Sequence, residues 1–208
     1  GRMSTGVARE SGSSGSARAG HTPRGLADQY ARVRSATDAL TVGLSPEDFV
    51  VQSMEDVSPT KWHLAHTSWF WEAFVLGPHL DGYRPFHPDY HYLFNSYYVQ
   101  AGERHCRAQR GYLSRPTVEE VRDYRAHVDR AMARLLARDP DDARACELTD
   151  LIEVGLNHEQ QHQELILTDL KHVFSVNPLR PVYRVAAEAT PAGPVPTMEW
   201  IPFEGGVQ

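Results

Sequence analysis

The chain has 208 residues, enough for one well-buried domain with some chain left over. Its net charge of -6 argues against nonspecific nucleic-acid binding, and no apolar run approaches the ~20 residues of a membrane span. Two cysteines in different segments, Cys106 and Cys146, make neither a disulfide framework nor a Cys-x-x-Cys metal knuckle, so a reducing cytoplasm is the expected compartment.

Residues 1–21 are rich in Ser, Gly, Ala and Arg and almost devoid of large apolar side chains, so they are expected to form a disordered tail. Thr22-Pro23 is a cap followed by a first-turn proline. Leu26, Tyr30, Val33, Thr37 and Leu40 then recur at helical spacing, which predicts a first helix running up to Gly43.

Ser58-Pro59 opens a second helix that ends at Gly77-Pro78. Trp62, Ala65, His66, Trp69, Ala73 and Leu76 share one stripe of it, whereas His63 falls about 100° from Trp62, beside Phe70 and Phe74. His66, rather than His63, is therefore expected in the interior.

From Pro78 to Pro116 no helical period is sustained, and the stretch far exceeds the ~12–15 residues usual for an unstructured connection. It carries Tyr83, Phe86, Tyr90, Tyr92, Phe94, Tyr97 and Tyr98, then Arg104, Arg107, Arg110 and Arg115. Most of the rings are expected to fasten the loop to the domain. Tyr98 is the candidate proton donor, and Arg107 with Arg110 are candidates to clamp a substrate carboxylate.

Thr117-Val118-Glu119-Glu120 is a capping box, and Val121, Tyr124, Val128, Ala131 and Leu135 carry a third helix to Asp139-Pro140. Its polar face, with Arg122, Asp123, Arg125, Asp129 and Arg130, is expected to meet only solvent.

The run from Leu148 to Phe174 lacks proline, and it predicts a fourth helix that stops before Asn177-Pro178. At about 100° per residue, His158 and His162 lie on the stripe of Leu151, Gly155, Ile166, Asp169 and Val173, with Glu159 on the flank and Glu164 on the far side. Two imidazoles four residues apart on one face are half of a metal site, and helical proteins complete such sites with side chains from facing helices. His66 is the candidate third ligand. His158-Glu159-Gln160-Gln161-His162 also fits the H-E-x-x-H pattern, in which the Glu is the general base of a zinc hydrolase. The downstream Gly and His of the extended form are replaced by Leu165 and Thr168.

Residues 179–197 are Pro- and Ala-rich and read as a linker after a domain spanning 22–178. Residues 198–208, Met198-Glu199-Trp200-Ile201-Pro202-Phe203 onward, read as the first strand of a further domain.

Four amphipathic helices with a long second connection, one His on the second and a His-x-x-x-His pair on the fourth, resemble the DinB-like bundle. The segments Ser58 to Thr67, Tyr83 to Tyr90, Leu93 to Tyr98, Leu113 to Val118 and His158 to Glu164 are similar to the N-terminal half of EgtB, the iron-dependent hercynylcysteine sulfoxide synthase of ergothioneine biosynthesis. The fold expected is mainly α: a DinB-like four-helix bundle with a long aromatic-rich loop between helices two and three. The resemblance implies a mononuclear Fe(II) on His66, His158 and His162, with dioxygen as co-substrate. It implies that Arg107 and Arg110 hold the carboxylate of the sulfur donor, cysteine or gamma-glutamylcysteine, and that Gln161 contacts hercynine. Tyr98, with Tyr97 beside it, would supply a proton or hydrogen bond near oxygen.

EgtB proteins continue into a domain like the formylglycine-generating enzyme, of which residues 198–208 resemble the opening. The expected partner is therefore that C-terminal half, on the same polypeptide or as a second chain, with no nucleic acid and no membrane. A zinc-dependent DinB-like thiol transferase and an H-E-x-x-H hydrolase are the alternative activities.

Overall fold

The computed structural model describes residues 23–96, 102–138, 144–185, 193 and 196–206. The described chain is mainly helical, with six α-helices: α1 (Pro23–Leu40), α2 (Thr60–Phe70), α3 (Gly77–His79), α4 (Tyr90–Phe94), α5 (Val118–Leu136) and α6 (Arg144–Val176). A π-helical stretch, Trp71–Leu76, joins α2 to α3 without a break, and a 3-10 helix, Arg107–Tyr112, precedes α5. None of the described helices is long and apolar enough to cross a membrane.

α1 packs against α6 and α5, and α2 packs against both α5 and α6. The common core holds Leu26 and Tyr30 of α1, Trp62, Leu64, Ala65 and Trp69 of α2, Val121, Tyr124, Val128 and Met132 of α5, and Ile152, Leu156 and Ile166 of α6. Thr117 caps α5 as its spacing predicts, accepting from the Glu120 amide while the Glu120 carboxylate takes the Thr117 amide.

Every residue of α2 is buried. The reason lies in the long connection, which folds back over the face of α2 that α5 and α6 leave open. Tyr90 and Phe94 of α4 are buried there, and Tyr90 meets Tyr124 edge-on at 5.1 Å. Glu72, in the π-helical stretch, fastens this return: its carboxylate accepts from Tyr83 Oη (2.5 Å), Tyr124 Oη (3.0 Å) and the Phe86 amide (3.1 Å).

One expectation needs correction. Arg125 and Asp129 do not meet only solvent: Arg125 is buried and donates to Asp38, Thr67 and Glu159, and the partly exposed Asp129 accepts from Tyr30 and Arg34. The buried charge of Arg125 is neutralised by Asp38 on α1 and Glu159 on α6, which offsets the cost of burying it. Residues 196–206, expected to open a further domain, pair with no other described segment, and Met198, Trp200, Ile201 and Phe203 are exposed. The tail expected at 1–21, like Tyr97 and Tyr98, lies outside the described residues.

Candidate metal centre

His66 sits near the middle of α2 and is 1% exposed. Its ring lies between Trp62 (4.5 Å, 12°) and Trp69 (5.3 Å, 16°), both stacked, so it has little room to turn. Its Nδ1 is 2.6 Å from the Phe94 carbonyl oxygen. A carbonyl only accepts, so Nδ1 carries the proton and Nε2 is left with its lone pair. That lone pair points across to α6, where His158 Nε2 is 3.1 Å away.

His158 and His162 occupy the same face of α6 as the sequence pattern requires, with ring centroids 4.6 Å apart. His158 is half-buried and stacks on Phe70 at 4.6 Å, so the cluster meets solvent along this edge. His162 is buried, with its ring 4.6 Å from that of His66. One nitrogen from each of His66, His158 and His162 lies within 4.8 Å of the others. The three residues that the sequence singles out as ligands are thus brought together.

Burial disfavours the charged form of all three rings. It pushes His158 down to about 4 and, with the neighbouring His158, drives His66 well below its usual range. Burial also depresses His162 strongly, and His66, His63 and His158 add to the effect. Neutral imidazoles with converging lone pairs are what a divalent cation needs, because no proton must first be displaced. His66 also shows the arrangement common among metal-ligating histidines, whose second N–H is held by a carbonyl. The residues therefore fit a metal held by three neutral nitrogens, which leaves coordination positions for other ligands. Imidazole suits zinc, copper, iron and nickel alike, so the donor set does not choose among them.

Arg110 lies against this cluster. It is buried, its guanidinium carbon is 3.3 Å from the ring centroid of Trp62, and Nη1 donates to Ser58 Oγ at 2.9 Å. Arg107 is half-buried on the same 3-10 helix and donates to the Asp56 carbonyl. Gln52 fixes both ends of that helix: its Nε2 donates to the Arg107 carbonyl (2.8 Å) and its Oε1 accepts from the Gly111 amide (2.6 Å). Only glycine fits at 111, since a Cβ there would lie 2.6 Å from Gln52 Cβ. Gln161 is exposed, one position before His162.

Three features escaped the sequence reading. His63 is 2% exposed, not outside, and its ring bridges His162 and Asp169. Asp169 shares the stripe of His158 and His162, so its position was visible though its role was not. Glu159 is not on a flank but fully buried, turned away from the cluster towards α1 and α5. It accepts from Arg34, Arg125, Trp71 and Thr37. Burial alone would raise its carboxyl, but Arg34 and Arg125, with Trp71 and Thr37, hold it down at about 2.

Residues 29–166 match the DinB superfamily. The chain belongs to that superfamily. The match takes in His66, His158 and His162 together with Arg107, Arg110 and Gln161, and runs from α1 into α6. No curated protein matches the chain. A DinB-like domain with a three-histidine group able to hold a metal is what sequence and geometry jointly establish.

Proposed function

We propose that this chain is the iron-binding half of an EgtB-type sulfoxide synthase, which joins the sulfur of cysteine or gamma-glutamylcysteine to the imidazole ring of hercynine. On this reading the four long helices, α1, α2, α5 and α6, are the DinB-like bundle. The remaining half, a domain like the formylglycine-generating enzyme, completes the substrate pocket. DinB-like proteins are often metal-dependent enzymes, which makes a catalytic use of the cluster the natural starting point.

The observation that carries the proposal is the juxtaposition of Arg110 with the histidine cluster across the Trp62 ring. A three-histidine cation site beside a buried guanidinium suits a substrate that offers both a soft donor and a carboxylate. In the overall reaction a C–H and an S–H bond give way to a C–S bond and an S–O bond. Dioxygen takes the four electrons, one of its atoms ending on sulfur and the other in water. Iron(II), when bound, would supply the redox chemistry and the Lewis acidity that deprotonates a thiol.

The chain's own residues have simpler tasks. His66, His158 and His162 hold the ion, Arg107 and Arg110 orient the donor carboxylate, and Gln161 at the exposed edge contacts hercynine. Tyr98, with Tyr97 beside it, is assigned the proton or hydrogen bond near oxygen. The hydrolase alternative loses its general base, because Glu159 is enclosed by Arg34 and Arg125 and turned away from the histidine cluster.

A zinc-dependent thiol transferase is the second reading, because three imidazoles accept zinc as readily as iron. One assay separates them. The anaerobically purified chain is loaded with iron(II), mixed with the C-terminal half, hercynine and either thiol, and exposed to oxygen. Hercynylcysteine sulfoxide that forms only with iron and oxygen supports the proposal. Thiol consumption that proceeds with zinc and without oxygen would replace it by transfer.

A further inference from the structure

The least expected residue in the interior is His63. It joins one of the three ligand histidines to a carboxylate. Its Nε2 lies 2.9 Å from Asp169 Oδ2 and its Nδ1 lies 2.9 Å from His162 Nδ1. The same Asp169 oxygen accepts the main-chain N–H of Ser58 at 2.9 Å, where the chain turns into α2.

We infer that Asp169 and His63 form a positioning relay that fixes which nitrogen of His162 is offered to the metal. The order of protons follows from what each group can do. Asp169 Oδ2 already accepts from an amide and belongs to a carboxylate, so it accepts from His63 as well, and the His63 proton sits on Nε2. A neutral imidazole has one N–H, so His63 Nδ1 is an acceptor. His162 must then donate from Nδ1, and its Nε2 keeps the lone pair. Reversal at any link would put the proton on the metal-facing nitrogen. His63, His162 and Asp169 are all buried, which favours partners within the protein over solvent.

The relay complements the contact that fixes His66. There a carbonyl of the long connection sets the tautomer; here a carboxylate two turns along α6 does so through a second ring. Supporting partners of this kind typically change metal affinity 10–100-fold when removed. Neither His63 nor Asp169 is a ligand in this arrangement, and each acts only through His162.

The inference rests on the three-histidine metal site, and its test is built to separate the two. Cobalt(II) is titrated into the metal-free full chain, with absorption of the bound ion as the readout, for wild type, His63→Leu and His63→Gln. Glutamine can offer oxygen to His162 and its amide to Asp169, the same polarity as the ring. We expect His63→Leu to bind cobalt(II) about 10–100-fold more weakly and His63→Gln to recover most of that loss. Equal binding by wild type and His63→Leu, or an equal loss in both variants, would overturn the relay. Nitrogen-15 NMR of histidine-labelled wild type reads the proton order without any metal or variant. His162 protonated on Nδ1 supports the relay; His162 protonated on Nε2 overturns it. Failure of wild type to bind cobalt(II) would remove the metal site itself, with the NMR result still deciding the relay.

Discussion

Arg34 Nη1 lies 3.3 and 3.1 Å from the two carboxylate oxygens of Glu159, and Arg125 Nη2 lies 3.3 Å from one of them. This buried group of charges joins α1, α5 and α6, and it turns Glu159 away from His158, its immediate neighbour in sequence. Breaking a buried ion pair by removing one partner costs about 3–5 kcal/mol. Glu159→Gln is expected to lose stability on that scale in urea unfolding. The fraction that remains folded should bind metal with wild-type stoichiometry. Loss of metal from well-folded Glu159→Gln would show that the carboxylate serves the site after all.

His158→Ala removes the most accessible of the three donors. Metal affinity is expected to fall by at least the 10–100-fold associated with losing a supporting partner, read by competition with a chelator. Unfolding of the metal-free protein near pH 7 should change by no more than about 1 kcal/mol, because the ring is half-buried and its loss opens onto solvent.

The depressed histidines make the metal-free fold acid-sensitive. His158 titrates at about 4 in the folded chain against 6.5 when unperturbed, so between these values the unfolded chain binds the extra proton. The stability in question is complete above about pH 6.5 and drains away as the pH falls towards 4, with His66 and His162 shifting in the same direction. The melting temperature of metal-free protein should therefore start to drop just below neutrality, and His158→Ala should make the drop shallower. Bound metal should be released over the same acid range, since protons and metal compete for the same nitrogens.

Gly155 is a packing position. A Cβ there would lie 2.5 and 2.6 Å from ring atoms of Trp71 and 3.0 Å from Phe70. Trp71 cannot easily yield, because its Nε1 donates to Glu159, and Phe70 carries the stacked His158 ring. Gly155→Ala is expected to cost about 1–3 kcal/mol and to weaken metal binding through Phe70. Denaturation and metal titration of the same sample would check both.

Glu72 gathers three donors, from Tyr83, Phe86 and Tyr124. Glu72→Ala strands the buried Tyr124 hydroxyl, at about 1–3 kcal/mol for a buried group left unsatisfied, and releases the less buried Tyr83 and Phe86 donors to solvent. Hydrogen exchange should rise first across residues 83–94, ahead of α5 and α6.

Much of this was legible in the sequence because helical periodicity is local. The cap at Thr117, the proline at Pro23 and the apolar stripes locate the long helices, and the shared stripe of His158 and His162 puts both rings on one face. Periodicity assumes that a helix has one buried side, and there it misplaced His63. α2 is enclosed all round because the connection from Pro78 to Pro116 folds over its second face, and no local pattern announces that return. The burial of Arg125 is hidden from a local pattern for a similar reason. Its partners Asp38 and Glu159 lie 87 and 34 positions away, and charge alone does not reveal where a counter-charge waits.

The hydrogen bond from His66 Nδ1 to the Phe94 carbonyl has a bearing on how the protein matures. Its ring faces His158 across 92 positions of chain, and its orientation depends on a turn of backbone 28 positions downstream. The complete set of three rings therefore exists only where α2, α6 and that turn have come together. Metal held by all three rings would then report the molecules that have finished assembling.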